Sequence, residues 1–277
     1  MKIQYLGTAA AEGIPAIFCE CATCRKSREL GGKNIRTRSQ ALINDDLLVD
    51  FPADTYMHFL NYNLPLSKIK NCIITHSHMD HLYPEDIFMR KRHYSHIDKR
   101  VPMVFHSDEA GYKIIRNVIE GRGLEEDEIQ VELIKPNKPF ETDGYKITPL
   151  RASHDLGASP VVYLIEKDGK TLFYSNDTGE YPKETMEYLK TIKKPCALIS
   201  FDCTEACSST TYEGHLTFER CIKLRETLLD MGVADDKTIF VLNHFSHNGK
   251  NVLYDEFVKI AAEKNFEVAY DGMIIEF

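Results

Sequence analysis

Thr75-His76-Ser77-His78-Met79-Asp80-His81 holds three imidazoles and a carboxylate within six residues, in a chain where histidine fills only 11 of 277 positions. A polar loop with chance histidines is a poor account of that density. His nitrogen and Asp oxygen are the donors that borderline transition metals take. The apolar run Cys72-Ile73-Ile74 comes just before, so the cluster is expected on the loop where a strand ends. A tight loop splays successive side chains, and Asp80 and His81 can therefore face a different ion from His76 and His78.

Working outward, Ser39–Ile43 and Leu47–Phe51 flank Asn44-Asp45-Asp46 as a hairpin. Val161–Ile165 and Thr171–Tyr174 form a second around Lys167-Asp168-Gly169-Lys170, and a third turn is expected at Thr142-Asp143-Gly144. Further strands are expected at Cys72–Thr75, Val101–Phe105, Ala197–Phe201, Ile239–Leu242 and Met273–Ile275. Helical spacing is clear in two places: Cys221, Leu224, Leu228 and Met231 after a Thr217 cap, and Leu253, Phe257, Ile260 and Ala261. Blocks of strands interrupted by single helices imply an α/β fold whose sheets are covered by helices on the outside. No linker or internal repeat divides the chain, so one domain over residues 1–277 is the simplest organisation.

The formal net charge is −8, which argues against broad nucleic-acid binding, because that binding rests on phosphate neutralisation by Lys and Arg. A small anionic substrate is compatible with it. The first residues lack a signal peptide's pattern and no apolar run approaches a membrane span. A cytoplasmic location without membrane partners is expected, and the eight cysteines are then thiols or metal ligands. Whether the chain pairs as a homodimer is left open.

His-x-His-x-Asp-His is the signature of the metallo-β-lactamase superfamily, and residues 76–81 resemble it at every position. The resemblance extends over essentially the whole chain and implies an αββα sandwich, two mixed β-sheets flanked by helices. It also implies where the remaining ligands stand: His154 in Arg151-Ala152-Ser153-His154, Asp177 in Asn176-Asp177-Thr178-Gly179, and His244 in Leu242-Asn243-His244. His76, His78 and His154 would hold one divalent ion, and Asp80, His81 and His244 a second, with Asp177 between them. Zinc is the default for such donors, with manganese or iron also suited. A pair of this kind supplies hydroxide near neutral pH and offsets charge on a displaced oxygen.

Cys19-Glu20-Cys21-Ala22-Thr23-Cys24 places three thiols within six residues. They read as part of a structural zinc site needing a fourth ligand; unliganded thiols are the bland alternative. Gly13-Ile14-Pro15, Cys19-x-Cys21-x-x-Cys24-Arg25 and Arg36-Thr37-Arg38-Ser39 are similar to the phosphoribosyl cyclic phosphate phosphodiesterases of bacterial phosphonate breakdown. That likeness implies that His247, three positions after His244, closes the zinc site on an N-terminal loop spanning about 13–38. By the same likeness His215 would be a histidine outside the ligand set that protonates the leaving group, and Asp80 and Asp177 would orient the attacking oxygen.

The implied activity is hydrolysis of a small phosphodiester, with a cyclic ribose phosphate a fitting substrate. A nuclease of the same fold, of the transfer-RNA 3′-processing or exonuclease type, is the rival enzyme. A binding protein of quinone-cofactor synthesis is the non-catalytic alternative. Met89–His96 is basic with aromatic content, and Arg90 and Arg92 are candidates for gathering an anionic substrate. Cys203 and Cys207 are expected to be inert, and His58 and His106 have no motif context and receive no role.

Overall fold

The computed structural model describes residues 1–154 and 159–277. Strands β1 (Lys2–Gly7), β2 (Gln40–Ile43), β3 (Leu47–Val49), β4 (Asn71–Ile73), β5 (Met103–Ser107) and β6 (Ile129–Leu133) lie side by side in that order. A second sheet takes β7 (Phe140–Thr142), β8 (Tyr145–Arg151), β9 (Val161–Lys167), β10 (Lys170–Ser175), β11 (Leu198–Asp202), β12 (Ile239–Asn243) and β13 (Glu267–Val268), again in sequence order. The last strand, β14 (Ile274–Glu276), returns to the first sheet beside β1.

Both sheets follow one plan. Antiparallel pairings run from β14 to β3 and from β7 to β10, and parallel pairings continue from β3 to β6 and from β10 to β13. Antiparallel neighbours can be joined by tight turns, whereas parallel ones need a crossover. The β7–β8 and β9–β10 turns carry left-handed pairs, Asp143 (φ 43°) with Gly144 (φ 78°) and Asp168 (φ 51°) with Gly169 (φ 75°), the geometry that twisted hairpins favour. The crossovers supply α2 (Thr55–Tyr62), α3 (Glu109–Arg122), α4 (Lys183–Leu189), α5 (Phe218–Asp230) and α6 (Tyr254–Ala262), while α1 (Ala22–Leu30) follows the cysteine trio. The six α-helices among the described residues exceed the two that sequence periodicity picks out.

Alternation along the strands sorts the core into three layers. Ile3, Tyr5, Val49 and Ile73 meet Ile147, Tyr163, Leu172 and Val241 between the sheets. Leu6, Leu42, Leu48 and Phe105 pack outward against Ile115 of α3. Phe173, Phe201 and Leu242 face Leu189, Cys221 and Phe257 on α4, α5 and α6. The result is an αββα sandwich. Among the described residues, no helix is long and apolar enough to cross a membrane.

The parallel strands β4, β10, β11 and β12 all end at one rim, where the two sheets are stitched together. Val161 N donates to Thr75 O (2.9 Å), and the buried Tyr163 hydroxyl donates to Ile74 O (2.6 Å). Removing a buried donor strands its acceptor, at a cost of ~1–3 kcal/mol. Tyr163→Phe is expected to lower urea stability by about that amount in chelator-treated protein. A change of only a few tenths would show that the hydroxyl does not brace the rim.

Candidate metal centre

Asp50 ends the β3 segment in a left-handed conformation (φ 66°), which turns its carboxylate toward the neighbouring strand. It accepts from Thr75 N (2.8 Å) and the Thr75 hydroxyl (3.0 Å) and lies 2.7 Å from His81 Nδ1. The signature loop is thereby pinned at both ends. His81 N and Leu82 N close back on His78 O, and Phe51 N takes His81 O. Two further left-handed residues stand at strand ends and are candidate ligands, Asp177 (φ 56°) after β10 and His244 (φ 62°) after β12. Non-glycine residues in this region cost ~1–3 kcal/mol and gather where geometry is over-determined by function.

The loops converge on Asp177. His76 Nε2 and His78 Nδ1 are 2.9 Å apart, and His154 Nε2 is 3.3 Å from His78 Nδ1 and 3.3 Å from Asp177 Oδ1. On the other side, His81 Nε2 lies 3.2 Å from Asp80 Oδ2 and 2.6 Å from Asp177 Oδ2, and His244 Nε2 is 3.4 Å from the same oxygen. Nitrogen and oxygen donors at ~2.0–2.1 Å from a tetrahedral ion stand ~3.3–3.4 Å apart; the spacings of 3.2–3.4 Å suit a metal, and the 2.9 and 2.6 Å pairs are closer than one ion would hold them. A second observation agrees. His81 Nε2, His244 Nε2 and Asp177 Oδ1 are buried without a properly directed hydrogen-bond partner, the close approach of His81 to Asp177 included. Buried polar atoms are rarely left so, and all three face the cluster.

Outer partners fix the opposite ring nitrogens. Thr75 Oγ1 is 3.2 Å from His76 Nδ1, Gly214 O is 3.1 Å from His154 Nδ1, Asp50 holds His81, and Thr204 Oγ1 is 2.8 Å from His244 Nδ1. Such partners set the tautomer and orientation of metal-binding histidines. Burial alone would raise the Asp177 carboxyl, but His244, His76 and His81 around it hold it well below the usual carboxylate range.

His215 stands beside this cluster. Its Nδ1 is 3.0 Å from Asp202 Oδ2 and 3.4 Å from Asp177 Oδ1, and its ring lies 4.8 Å from that of His154. Burial works against its imidazolium, yet Asp202, Asp177 and Glu205 carry its pKa up to about 9. Asp202, fully buried at the end of β11, also receives Asp177 N (3.1 Å), Thr204 N (3.1 Å) and Leu216 N (2.9 Å). Asp50 and Asp202 are the site residues that sequence reasoning passes over, although each is an aspartate directly after an apolar run.

The front of the chain forms a separate cluster. Cys19 Sγ and Cys21 Sγ lie 3.6 and 3.5 Å from His247 Nδ1, and all four donor atoms, Cys24 included, lie within 4.8 Å of one another. Sulfur at ~2.3 Å and nitrogen at ~2.05 Å from one tetrahedral zinc would stand ~3.5–3.6 Å apart, so the donor set fits that ion. Backbone N–H groups of Cys21, Cys24 and Ala16 point at the sulfurs of Cys19, Cys21 and Cys24.

Arg90 and Arg92 are engaged elsewhere. The Arg90 guanidinium donates to Glu128 O (3.0 Å), Leu66 O (3.3 Å) and Val101 O (2.8 Å), and Arg92 pairs with Asp127 and Glu125. Arg90 ends the 3-10 segment Pro84–Arg90 and Arg92 lies just beyond it. Both arginines brace this stretch of chain, and none of these contacts is with the clustered residues. Cys203 is buried beneath the site and Cys207 half-buried. A cavity of about 910 Å³ lies between the β7–β8 and β9–β10 turns and touches none of the clustered residues.

Comparison with known proteins agrees with this picture. The chain resembles the endoribonuclease ysh1 of Schizosaccharomyces pombe, 28% identical over 158 residues, which is 52% of this chain and only 20% of that protein. It thus spans about a fifth of that relative's length. A crystal structure of a diphosphatase from the PhnP family superimposes with a TM-score of 0.75 at 20% identity, over 100% of this chain and 98% of that one. Zn(2+)-bound PqqB from Methylobacterium extorquens gives 0.76 at 18% identity, over 100% of both chains. The model of the beta-lactamase superfamily domain matches residues 48–245, from β3 to the residue after His244. This chain therefore belongs to the β-lactamase superfamily and carries its metallo-β-lactamase fold.

Proposed function

We propose that this chain is a metal-dependent phosphodiesterase acting on a small diester, a cyclic ribose phosphate being the best fit. The observation that carries the reading is the convergence of six ligand-type side chains on Asp177, with His215 beside them and held by a different carboxylate. His76, His78 and His154 would hold one divalent ion, and Asp80, His81 and His244 the other, with Asp177 between. When bound, the pair supplies activated water and neutralises charge on phosphoryl oxygens.

The chain's own residues do the rest. Asp80 and Asp177 accept hydrogen bonds from the attacking water and orient it toward phosphorus. Asp202 anchors His215 through Nδ1, which leaves Nε2 to donate a proton to the departing alkoxide as the P–O bond breaks. A cyclic diester is a fitting substrate because ring opening keeps the product as a single tethered monoester. This chain's likeness to an endoribonuclease over about half its length supports the rival nuclease reading, but a net charge of −8 disfavours a long polyanion.

The test is competitive turnover of a cyclic ribose phosphate, bis(p-nitrophenyl) phosphate and single-stranded RNA by protein reconstituted with manganese or zinc. Preference for the cyclic diester is expected. Preference for RNA would move the reading to a nuclease. Two bound ions without cleavage of any diester would move it to a binding role.

Cys19, Cys21, Cys24 and His247 are assigned to a separate structural zinc. It ties the N-terminal loop to the segment after β12, three residues beyond His244. Cys21→Ser is expected to lower zinc by one ion per chain by mass spectrometry and to make the loop protease-sensitive. Unchanged zinc content would remove the site.

A further inference from the structure

His58, on α2, has no place in the proposed reaction, yet it is 1% exposed with both ring nitrogens in close contact. Its Nδ1 lies 2.6 Å from Gln40 Oε1 and its Nε2 2.6 Å from Thr37 Oγ1. Gln40 is itself fully buried, and its amide NH₂ donates to the backbone carbonyl of Asp50 (3.0 Å) and to Thr55 Oγ1 (3.0 Å). Thr55 Oγ1 donates to Pro52 O, so it accepts from Gln40. The amide can satisfy both neighbours only with nitrogen toward Asp50 and oxygen toward His58.

That fixes the histidine as well. A carbonyl oxygen at 2.6 Å requires Nδ1 to carry the proton, and Nε2 then accepts from the Thr37 hydroxyl. Burial holds the His58 pKa down to about 4, in keeping with this neutral ring. Thr37 has one hydroxyl proton and also lies 2.6 Å from Asp271 Oδ2. In the row from Asp271 through Thr37, His58 and Gln40, that proton serves either His58 Nε2 or Asp271 Oδ2, whose carboxyl burial raises to about 6.

Asp50 is the far end of the row. It is the left-handed residue whose carboxylate holds Thr75 and the His81 ring. We propose that His58 is a positioning residue for the metal centre: by selecting the direction of the Gln40 amide it locks the Asp50 backbone, and through Asp50 it sets the His81 ring. The inference rests on reading His81 as a metal ligand. Without the Nδ1 proton the Gln40 oxygen would face a second acceptor, and relieving that clash by reversal would set the oxygen against the Asp50 carbonyl. The strained Asp50 turn would then lose its amide donor.

Two substitutions separate the ring nitrogens. The amide nitrogen of Asn sits near the position of Nδ1, whereas Gln reaches that of Nε2. His58→Asn keeps a donor for Gln40 and loses the Thr37 contact; His58→Gln does the reverse. Asp50→Asn identifies the binding step involved, because removing an outer partner of a ligand weakens metal binding by ~10–100-fold. Dissociation constants for manganese, read by chelator competition, are expected to weaken at that same step by about tenfold in His58→Gln and by less than about threefold in His58→Asn. Urea stability of each metal-free variant is measured alongside. Equal affinities in the two variants, or losses that follow metal-free stability, overturn the proposal. Failure of the unsubstituted chain to bind two ions would instead overturn the reading of the site, and this inference with it.

Discussion

Asp177→Asn is expected to release at least one metal ion per chain and to lower turnover by more than the ~10–100-fold that losing an outer partner costs. A single carboxylate here meets five imidazoles: Oδ2 lies within 3.4 Å of His76, His81 and His244, and Oδ1 within 3.4 Å of His154 and His215. Asparagine keeps the shape and removes the charge. It also turns one oxygen into an NH₂ donor, which cannot bind a cation. The measurement is metal per chain by mass spectrometry, paired with urea denaturation in chelator. Were Asp177 only a buried ion-pair partner, the variant would lose ~3–5 kcal/mol whether or not metal is present. Loss of stability confined to the metal-loaded protein identifies a ligand. Two ions retained with unchanged turnover would remove Asp177 from the centre.

The candidate ligand residues are legible in the sequence because metal chemistry admits few residue types and the fold places them at strand ends. His76, His78, Asp80 and His81 announce themselves by density. His154, Asp177 and His244 need the family pattern, since a lone histidine after an apolar run is usually structural. Asp50 and Asp202 carry a signal of the same kind, in Leu48-Val49-Asp50 and Ser200-Phe201-Asp202. They go unread because an aspartate ending a strand has many uses. Which use applies depends on the neighbouring strand, and sheet order is a non-local property. His58 is further from reach still: its partners Thr37 and Gln40 precede it by 21 and 18 residues, with a hairpin between.

The fold divides in the same way. Hairpins at Asn44–Asp46, Asp143-Gly144 and Asp168-Gly169 are visible because turn chemistry is local. Helix α5 begins one residue after the expected cap, Thr217, whose side chain accepts from Arg220 N. Helix α2 is hidden by its own surface, where Tyr56, Phe59 and Leu60 are exposed and blur the apolar stripe. Helix α3 does carry a stripe, Ile114, Ile115, Val118 and Ile119, packed on the first sheet. The alternation of β6, Ile129-Gln130-Val131-Glu132-Leu133, is equally plain. Neither element is among those expected from the sequence, although the signal for both is present. For Arg90 and Arg92 the sequence shows a basic run but not its partners, which are backbone carbonyls and carboxylates across the loop.

His215→Ala is expected to keep both metal ions and lower turnover by ~10²–10⁴-fold, the usual scale of acid–base assistance. Its side chain belongs to neither three-ligand set, and its anchor, Asp202, is shared with His244 Nδ1 at 3.3 Å. That sharing makes a second measurement necessary. If His215 acts only by steadying Asp202 and hence His244, its removal weakens metal binding together with rate. If it donates the proton, metal affinity holds and the loss depends on the leaving group. A diester with an alkoxide leaving group needs that proton badly, whereas p-nitrophenolate departs readily without it. The variant should therefore lose far more rate on the cyclic ribose phosphate than on bis(p-nitrophenyl) phosphate. Equal losses on the two substrates at full metal occupancy would leave His215 as a stabiliser of phosphoryl charge. Undiminished turnover of both would exclude it from the reaction.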